Sequence, residues 1–356
     1  MPKVIAIGTA QPPFVLTQKS VGQFASGLYG ETYKGDLSRL TAIFDRTEID
    51  ERRFCVPIDW FAAPKTFQEK NDLYITHGLS LSETAIENCL AESQTSYGEI
   101  DYLMFVSTTG LSTPAMDARL IERLPFRKNI KRMPLFGLGC AGGAVSLSRA
   151  MDIAKAYPGA KILIVIAELC GLTFIRNDLS KAAMISTSLF ADGACAVLVT
   201  GDAVQAKVSH ATPCLVASET HTMPDSLDVM GWNFGGEGFK VILSRDVPEI
   251  VKTFMKQSIE TFLGAEQLTT DDIAHFITHP GGAKVLRAYE TSLGLTAEHL
   301  RHAREVLRTC GNMSACTVMF ILKRFMRDLA RESNVYGLVG ALGPGFSSEL
   351  VLLHWD

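Results

Sequence analysis

Apolar residues form short, uninterrupted runs along the chain, and segments with helical spacing separate these runs. Runs without polar alternation are typical of strands that are buried on both faces. Eight runs are predicted to be strands: 4–8, 102–107, 133–138, 161–169, 196–200, 274–279, 336–342 and 349–355. Helical spacing predicts helices over 144–157, after Asp246, from about Ala283, and from 314 to about 329. Strands that alternate with helices predict an α/β fold.

The predicted elements recur in the same order at an offset of about 172 residues, the separation of Gly139 from Gly311. The strand at 102–107 corresponds to the strand at 274–279, and Gly139-Cys140 before one helix corresponds to Gly311-Asn312 before another. KILIVIAEL, near the middle of the chain, corresponds to VYGLVGALG near its end. Such internal similarity indicates two βαβ-rich halves related by pseudo-symmetry.

The two halves are expected to meet between 201 and 208, with residues 1–204 as the N-terminal half and residues 205–356 as the C-terminal half. Ligand sites in sheets of this kind lie at the carboxyl ends of strands. Pseudo-symmetric halves that face each other would bring equivalent strand ends together. We therefore expect residues from both halves to share one cavity.

Composition and charge limit the class of protein. The chain has 356 residues, of which 47% are hydrophobic and 20% are charged, as expected for a compact globular protein. Its net charge of −4 argues against nucleic acid or an anionic membrane as the main partner. The first apolar run is too short for a signal peptide, so we expect a cytoplasmic protein. The eight cysteines form no CxxC pair, and no metal site is predicted.

Cys140 stands among four glycines in GLGCAGGA (137–144), between a predicted strand and a predicted helix. A sulfur atom placed there would lie at the helix N-terminus, which favours an anion and lowers the pKa of a cysteine from about 8.5. We therefore predict a nucleophilic thiolate. We attribute the glycines to a tight elbow and to the room that an acyl group on sulfur needs. The alternative interpretation is a glycine-rich turn around a buried, inert cysteine.

Two further residues fit a catalytic role with Cys140. His279 ends a predicted buried strand in THPGG, and Asn312 precedes a predicted helix in GNMSA. Asn312 occupies the position that mirrors Cys140 in the internal repeat. If the three side chains converge, they provide a nucleophile, a base and a hydrogen-bond donor. A structural histidine and a helix-capping asparagine are the alternatives.

Six motifs together give the chain a marked resemblance to the type III polyketide synthases, the chalcone synthase family on the thiolase fold. In chain order they are Thr-Thr-Gly (108–110), GLGCAGGA, SLFADGA (188–194), THPGG, GNMSA and ALGPGFSSE (341–349). The resemblance runs from end to end of the chain. It implies an α/β thiolase-like fold, with the two pseudo-symmetric halves in a layered α/β/α/β/α arrangement.

The resemblance also implies the chemistry. Cys140 would take an acyl group from a CoA thioester, while His279 would pair with the thiolate. His279 and Asn312 would donate hydrogen bonds to the thioester oxygen, and to the enolate that forms when malonyl-CoA loses CO2. The enolate would attack the acyl-Cys140 thioester and extend the chain by two carbons. No cofactor is expected beyond the substrates malonyl-CoA and acyl-CoA, and the enzyme is expected to be a homodimer.

Departures from the family pattern suggest the starter. Val241 stands where plant-type members carry a second gatekeeper phenylalanine, which favours a wide passage and an aliphatic acyl starter. The segment MGWNFGGEGF (230–239) resembles bacterial members that make alkylpyrones or alkylresorcinols. The residues expected to bind substrate are Phe190, Val241, Cys170, Thr173, Thr109, Trp232, Ser314, Gly343, Pro344 and Gly345.

The resemblance further places CoA against basic residues at the mouth of the tunnel, for which Arg46, Arg52 and Arg53 are the candidates. Three alternative functions stay open at this point. A ketoacyl-ACP synthase III would share the fold and the Cys-His-Asn set but would condense only once. A cysteine hydrolase could use the same three residue types, although papain-like proteases lack a duplicated α/β architecture. A non-catalytic acyl-binding protein would leave Cys140 unreactive.

Overall fold

The computed structural model describes residues 1–30, 42–205, 208, 210–328 and 334–356. The strands in these residues are β1 (Lys3–Ala10), β2 (Phe14–Thr17), β3 (Glu51–Phe54), β4 (Tyr102–Ser107), β5 (Lys131–Phe136), β6 (Lys161–Leu169), β7 (Asp192–Thr200), β8 (Cys214–Thr222), β9 (Met230–Gly235), β10 (Gly238–Leu243), β11 (Ile273–Thr278), β12 (Val335–Gly343) and β13 (Ser347–Trp355). The α-helices are α1 (Gln18–Gly30), α2 (Phe67–Ser93), α3 (Met116–Arg123), α4 (Gly142–Ala156), α5 (Lys181–Leu189), α6 (Val247–Ile250), α7 (Lys256–Ala265), α8 (Ala283–Leu293), α9 (Arg301–Cys310) and α10 (Cys316–Asp328). A π-helical turn, Val251–Met255, joins α6 to α7.

All eight predicted strands are present, and β4 and β6 have the predicted bounds. β5 lies two residues earlier than predicted, because Gly137, with φ of +89°, turns the chain toward Cys140. The predicted helices are also confirmed at α4, α6–α7, α8 and α10, although the predicted end at 329 lies outside the described residues.

The sequence analysis missed β2, β3, β8, β9 and β10, which are short or partly exposed. It also missed α2, the longest helix in the described residues, although a local signal marks where that helix begins. Thr66 and Glu69 form a capping box there, in which each side chain bonds the backbone N–H of the other residue. This motif could have been found in the sequence.

Nine strands form one sheet in the order β11-β12-β13-β8-β1-β7-β6-β4-β5. The order is pseudo-symmetric about the β8–β1 junction. β1, β7, β6 and β4 on one side correspond in order to β8, β13, β12 and β11 on the other. Lys3 opposite Cys214 is the register pair between β1 and β8. The repeat in the sequence therefore appears as two half-sheets joined at their first strands.

Helices cover both faces of each half-sheet. Ile162, Ile164 and Ile166 of β6 share a core with α4, whereas the alternating residues Leu163 and Val165 share a core with α2. Because successive residues of a strand point to opposite faces, α2 and α4 lie on opposite sides of the sheet. α4 and α10 contact each other and strands of both halves, while α7 and α9 contact β13 and β11. The layered α/β/α/β/α arrangement is confirmed.

The predicted boundary at 204/205 lies just after β7 and before β8. Residues 206 and 207, which belong to the predicted boundary region, lie outside the described residues. No helix in the described part of the chain is long and apolar enough to cross a membrane.

Candidate active site

Cys140, His279 and Asn312 line a single cavity of about 310 Å³. The three residues come from different parts of the chain: the turn before α4, the end of β11 and the turn before α10. All three are buried, with exposed fractions of 8%, 6% and 3%. The structure therefore brings together the three side chains that the sequence singled out.

Cys140 lies in a 3₁₀ turn, Gly139–Ala141, that leads directly into α4. Gly139 has φ of +50°, and a Cβ atom on it would lie 2.6 Å from Cδ of Pro344. At Gly143, a Cβ atom would lie 2.6 Å from the carbonyl oxygen of Ala315. The glycines therefore have a packing role: they let the Cys140 turn and α4 approach the loop and helix of the other half.

The electrostatic environment of Cys140 differs from the predicted one. The pKa of Cys140 is raised to about 12, mainly by burial and also by the charge of Glu168, whereas the Ser314 hydroxyl group lowers it. Burial also lowers the pKa of His279 to about 4. Burial thus opposes the predicted resting thiolate, because loss of hydration disfavours the charged form of the thiol. In the free enzyme at pH 7, burial favours the neutral thiol of Cys140 and the neutral imidazole of His279.

His279 follows the last residue of β11, and its backbone N–H donates to the Gly340 carbonyl at 2.8 Å. Neither ring nitrogen has a hydrogen-bond partner among the described residues, although both are buried. A buried polar group without a partner is costly, so such groups commonly bind a ligand or water. The imidazole is available to accept a proton or to bind a substrate oxygen.

Asn312 is held on both sides of its amide. Its Nδ2 donates to the Gly281 carbonyl at 3.0 Å, and its Oδ1 accepts from the Ser314 backbone N–H at 2.8 Å. These contacts settle which end of the amide carries the donors. One Nδ2–H is used and the second is available to a substrate oxygen in the cavity. The alternative interpretation of Asn312 as a helix N-cap does not fit. Its Oδ1 accepts from the backbone N–H of Ser314, which precedes the first residue of α10.

Glu168 is a buried carboxyl group beside Cys140 that the sequence analysis did not identify. Its Oε2 accepts hydrogen bonds from the Thr109 hydroxyl group at 2.9 Å and the Thr108 backbone N–H at 3.0 Å. Burial raises its pKa to about 7, against the lowering effect of these hydrogen bonds. A charged residue near the end of the apolar strand KILIVIAEL was the signal that could have identified it.

A second, smaller cavity of about 70 Å³ adjoins the first. Four of the described residues line both cavities and form the wall between them: Ser186, Phe190, Trp232 and Val241. The rings of Phe190 and Trp232 lie 6.4 Å apart, and Val241 is the strand partner of Trp232 in the β9–β10 hairpin. Cys170 and Thr173 line only the second cavity, whereas Ser314 and Pro344 line only the first.

Three residues expected to bind substrate line neither cavity. The hydroxyl group of Thr109 is used by Glu168 and the Leu169 N–H, and its neighbour Thr108 lines the active-site cavity instead. Gly343 packs against the Cys140 turn, where an added Cβ would lie 2.5 Å from the Leu138 carbonyl oxygen. Gly345 provides a turn with φ of +99°.

Of the three arginines expected to bind CoA, the structure places one at the active-site cavity and two elsewhere. Arg46 is exposed and lines the active-site cavity, as expected for its mouth. Arg52 is fully buried and donates to backbone carbonyls, so the prediction that it lies at the mouth is wrong. Arg53 is half-buried and lines neither cavity. The sequence analysis missed three other exposed basic residues that line the cavity: Lys181, Arg245 and Lys284.

Nothing in the described residues offers a metal site, since no three His, Cys, Asp or Glu side chains are grouped to hold an ion. The eight cysteines are all free and buried. The polar groups at the centre of the cavity are the Cys140 thiol, the His279 imidazole and the Asn312 amide.

Comparison with known proteins identifies the family. Residues 1–203 match the model for the N-terminal domain of chalcone and stilbene synthases, and residues 214–355 match the model for the C-terminal domain. A chalcone synthase-like protein of Bacillus subtilis (strain 168) is 41% identical over 360 residues, covering 99% of this chain and 98% of that protein. The 1,3,6,8-tetrahydroxynaphthalene synthase of Streptomyces peucetius subsp. caesius is 33% identical and covers 99% of this chain and 93% of its own.

Solved structures show the same fold. The 1,3,6,8-tetrahydroxynaphthalene synthase of Streptomyces coelicolor A3(2) has a TM-score of 0.90 at 24% identity, covering 99% of both chains. A polyketide synthase of the brown alga Ectocarpus siliculosus has a TM-score of 0.91 at 23% identity, covering 100% of this chain and 98% of its own. The chain belongs to the chalcone and stilbene synthase family of type III polyketide synthases, which are condensing acyltransferases.

Proposed function

We propose that the enzyme loads an aliphatic acyl group from CoA onto Cys140 and extends it with malonyl-CoA to alkylpyrone or alkylresorcinol products. The observation that carries this proposal is the shared cavity of Cys140, His279 and Asn312. Two curated relatives are named as synthases of 1,3,6,8-tetrahydroxynaphthalene and 3,5-dihydroxyphenylacetyl-CoA, so the product class varies within the family.

Loading begins from the neutral pair. His279 accepts the thiol proton of Cys140 as the sulfur attacks the thioester carbon, and the CoA thiolate leaves and is then protonated. The imidazolium and the free Nδ2–H of Asn312 stabilise the negative oxygen of the tetrahedral intermediate. His279 and Asn312 are both buried, so water screens the imidazolium charge and the amide dipole only weakly. The hydrogen bonds from these groups to the oxyanion are correspondingly strong.

Extension uses the same donors. The bond between the malonyl carboxylate and its neighbouring carbon breaks, CO2 leaves, and the electron pair forms an enolate on the thioester oxygen. His279 and Asn312 bind that oxygen, so no strong base is required. The enolate carbon attacks the acyl-Cys140 thioester, a carbon–carbon bond forms, and the Cys140 thiolate leaves. The low exposure of all three residues protects the enolate and the thioester from water.

The second cavity supports an aliphatic starter. Its lining includes an apolar face of α1, formed by Val21, Phe24, Ala25 and Leu28, together with Phe54, Phe61 and Phe174. Such a lining suits a hydrocarbon chain, and burial contributes about 0.8 kcal/mol for each CH₂ group. The shared wall places this cavity next to the site where an acyl group on Cys140 would extend.

Entry of CoA is assigned to the exposed basic rim of the active-site cavity. Arg46, Lys181 and Lys284 come from three separate segments of the chain, and none of them pairs with an acidic side chain in the described residues. Unpaired cations at the rim of a substrate cavity suit the phosphate groups of CoA. Together with Arg245 they replace Arg52 and Arg53 in this role.

A homodimer is proposed from the edge of the sheet. β5 ends the nine-stranded order, so one edge of this strand is unpaired within the described residues. Nearby Leu111 and Phe136 are 41% and 50% exposed. An exposed strand edge with apolar side chains can pair with the same strand of a second copy in an isologous interface. Phe136→Glu should shift the protein toward monomer in light scattering, whereas Leu227→Glu, at another exposed apolar site, should not.

The eight free cysteines are compatible with the reducing cytoplasm, where we place the enzyme.

The function is tested by incubating purified protein with malonyl-CoA and a series of acyl-CoA starters, and by identifying the products by mass spectrometry. Alkylpyrones or alkylresorcinols that contain several malonyl-derived units support the proposal. A single extension would indicate a ketoacyl synthase III-like reaction, and thioester hydrolysis without CO2 release would indicate a hydrolase. Either result would overturn it.

A further inference from the structure

Arg52 is a charged side chain with no solvent-exposed surface, and it lines the second cavity. Its guanidinium group lies 5.4 Å from the centre of the Phe54 ring. Burial lowers its pKa to about 9 even though Asp192 attracts the charge. A buried charge of this kind is rare without a specific partner, so its contacts indicate what it does.

Nη1 of Arg52 donates hydrogen bonds to the carbonyl oxygens of Thr187 at 2.8 Å and Phe190 at 2.6 Å. These carbonyls belong to the last turn of α5 and its C-cap. Carbonyl groups at a helix C-terminus have no partner within the helix, and a cation there binds them favourably. Arg52 thus fixes the backbone that carries the Phe190 ring into the wall between the two cavities.

The same short segment holds Asn312. The backbone N–H of Asn312 donates to the Leu189 carbonyl at 2.9 Å, and the Ala191 N–H donates to the Asn312 carbonyl at 2.9 Å. The methylene stem of Arg52 also packs against Gly311, where an added Cβ would lie 2.7 Å from Cγ of Arg52. Arg52 therefore contacts both sides of the junction that positions the Asn312 amide.

Asp192 extends this arrangement to the second cavity. It is fully buried, its Oδ1 accepts from the Gly171 N–H at 2.7 Å, and its Oδ2 accepts from the Cys55 N–H at 2.9 Å. Gly171 lies in the turn Cys170–Thr173, which supplies three lining residues of the second cavity, Gly171 among them. Through these hydrogen bonds, the Arg52 and Asp192 side chains thus link the segments that line the two cavities.

We propose that Arg52 and Asp192 are positioning residues that set the Asn312 amide for catalysis and hold Phe190 as the partition between the acyl cavity and the active site. Neither residue touches the reacting atoms, and neither binds CoA. This inference rests on the proposed function, because it assumes the roles of Asn312 in enolate stabilisation and of Phe190 in acyl-chain binding.

The test compares Arg52→Met and Arg52→Lys with the wild-type enzyme in malonyl-CoA decarboxylation. Arg52→Met should lower kcat about 10- to 100-fold, as a small misplacement of a catalytic group does, while KM for malonyl-CoA changes little. Arg52→Lys keeps the positive charge but loses the planar guanidinium group, so its kcat should lie between those of the wild type and Arg52→Met. Arg149→Met, at an exposed arginine paired with Asp152, is the matched control and should behave as wild type.

Two further measurements separate positioning from other roles. The loss in Arg52→Met should be the same with the N-acetylcysteamine thioester of malonate, which lacks the CoA phosphates, and the distribution of products over starter lengths should change. Asp192→Asn should change the same distribution. A rise in KM for malonyl-CoA alone would mean that Arg52 binds CoA and would overturn the inference.

Wild-type kcat and an unchanged product distribution in the variants would also overturn it. If Arg52→Met does not fold, judged by circular dichroism, Arg52→Lys and Asp192→Asn carry the test. A wild-type enzyme that releases no CO2 from malonyl-CoA would refute the proposed function itself, so the two failures are distinguishable.

Discussion

The hydroxyl group of Thr109 donates a 2.9 Å hydrogen bond to Oε2 of Glu168, and this carboxyl group in turn raises the pKa of the Cys140 thiol. A residue expected to bind substrate therefore anchors a buried acid beside the nucleophile. Because burial raises the pKa of Glu168 to about 7, its charge changes in the physiological range. Thiol reactivity in this enzyme should depend on a group outside the Cys-His-Asn set.

Glu168→Gln should lower the pKa of Cys140, since the neutral amide keeps the shape of the side chain and removes its negative charge. Above pH 7, where Glu168 is ionised, iodoacetamide should alkylate Cys140 about 2- to 10-fold faster in the variant than in the wild type, a pKa change of up to one unit. Near pH 5.5 the two rates should agree, because Glu168 is then protonated. Glu349→Gln changes a buried carboxyl group elsewhere and should leave the rate unaltered.

The alkylation rate of wild-type Cys140 should rise without a plateau between pH 6 and 9, about tenfold per pH unit except near pH 7, where ionisation of Glu168 raises the thiol pKa and reduces the slope. The pKa of the thiol is raised to about 12 and that of His279 is lowered to about 4, so both are neutral across this range. The rate is measured by mass spectrometry of the Cys140 peptide. A plateau at neutral pH would show a preformed thiolate–imidazolium pair instead.

Asn312→Ala should slow malonyl-CoA decarboxylation by about 10²- to 10³-fold, the usual cost of losing one donor to a developing oxyanion. CO2 release is the measurement. Asn88→Ala removes a surface amide that bonds the Thr9 carbonyl and serves as the matched control. Undiminished CO2 release from Asn312→Ala would remove the proposed role of this amide.

Val241→Phe should narrow the passage between the two cavities, because Val241 lies opposite Trp232 in the hairpin and lines both. We expect kcat/KM for long acyl-CoA starters to fall at least about tenfold relative to short ones, within the range of steric discrimination in apolar pockets. Val15→Phe, at an exposed strand position, is the control. An unaltered preference for chain length would mean that position 241 does not gate the passage.

Gly143→Ala should destabilise the fold by about 1 to 3 kcal/mol, the usual cost of overpacking. Its Cβ would lie 2.6 Å from both the Ala315 carbonyl oxygen and Cγ2 of Val318, which holds α4 close to α10. Gly159→Ala has no atom within 4 Å of the added methyl group and should leave Tm nearly unchanged. Equal Tm values for the two variants would show that the contact between these helices can relax.

The central strands of the sheet were predictable because they are buried on both faces. β4 and β6 are continuous apolar runs, and such runs have few alternatives in a globular chain. The hairpin β9–β10 was not predicted as strands, because its residues are half-exposed and its role depends on what it covers. Exposed segments near a site carry a weaker hydrophobic signal than the core beneath them.

The candidate site was likewise predictable from the sequence only in part. The motifs around Cys140, His279 and Asn312 placed each residue at the end of a strand or the start of a helix, and the structure places all three at one cavity. The spacing of arginines did not reveal that Arg52 is buried while Lys181 and Lys284 reach the rim. An arginine or lysine in a short basic stretch gives no indication in the sequence of whether its side chain is buried or reaches the rim of the cavity.

The sequence by itself determined the order of the eight predicted strands and the internal repeat, and it singled out Cys140, His279 and Asn312, because these depend on periodicity and on local motifs. Only the tertiary structure decided the protonation of Cys140, the second cavity and the buried contacts of Arg52. Hydration, cavity volume and side-chain burial are set by segments far apart in the chain, and no local pattern encodes their distances.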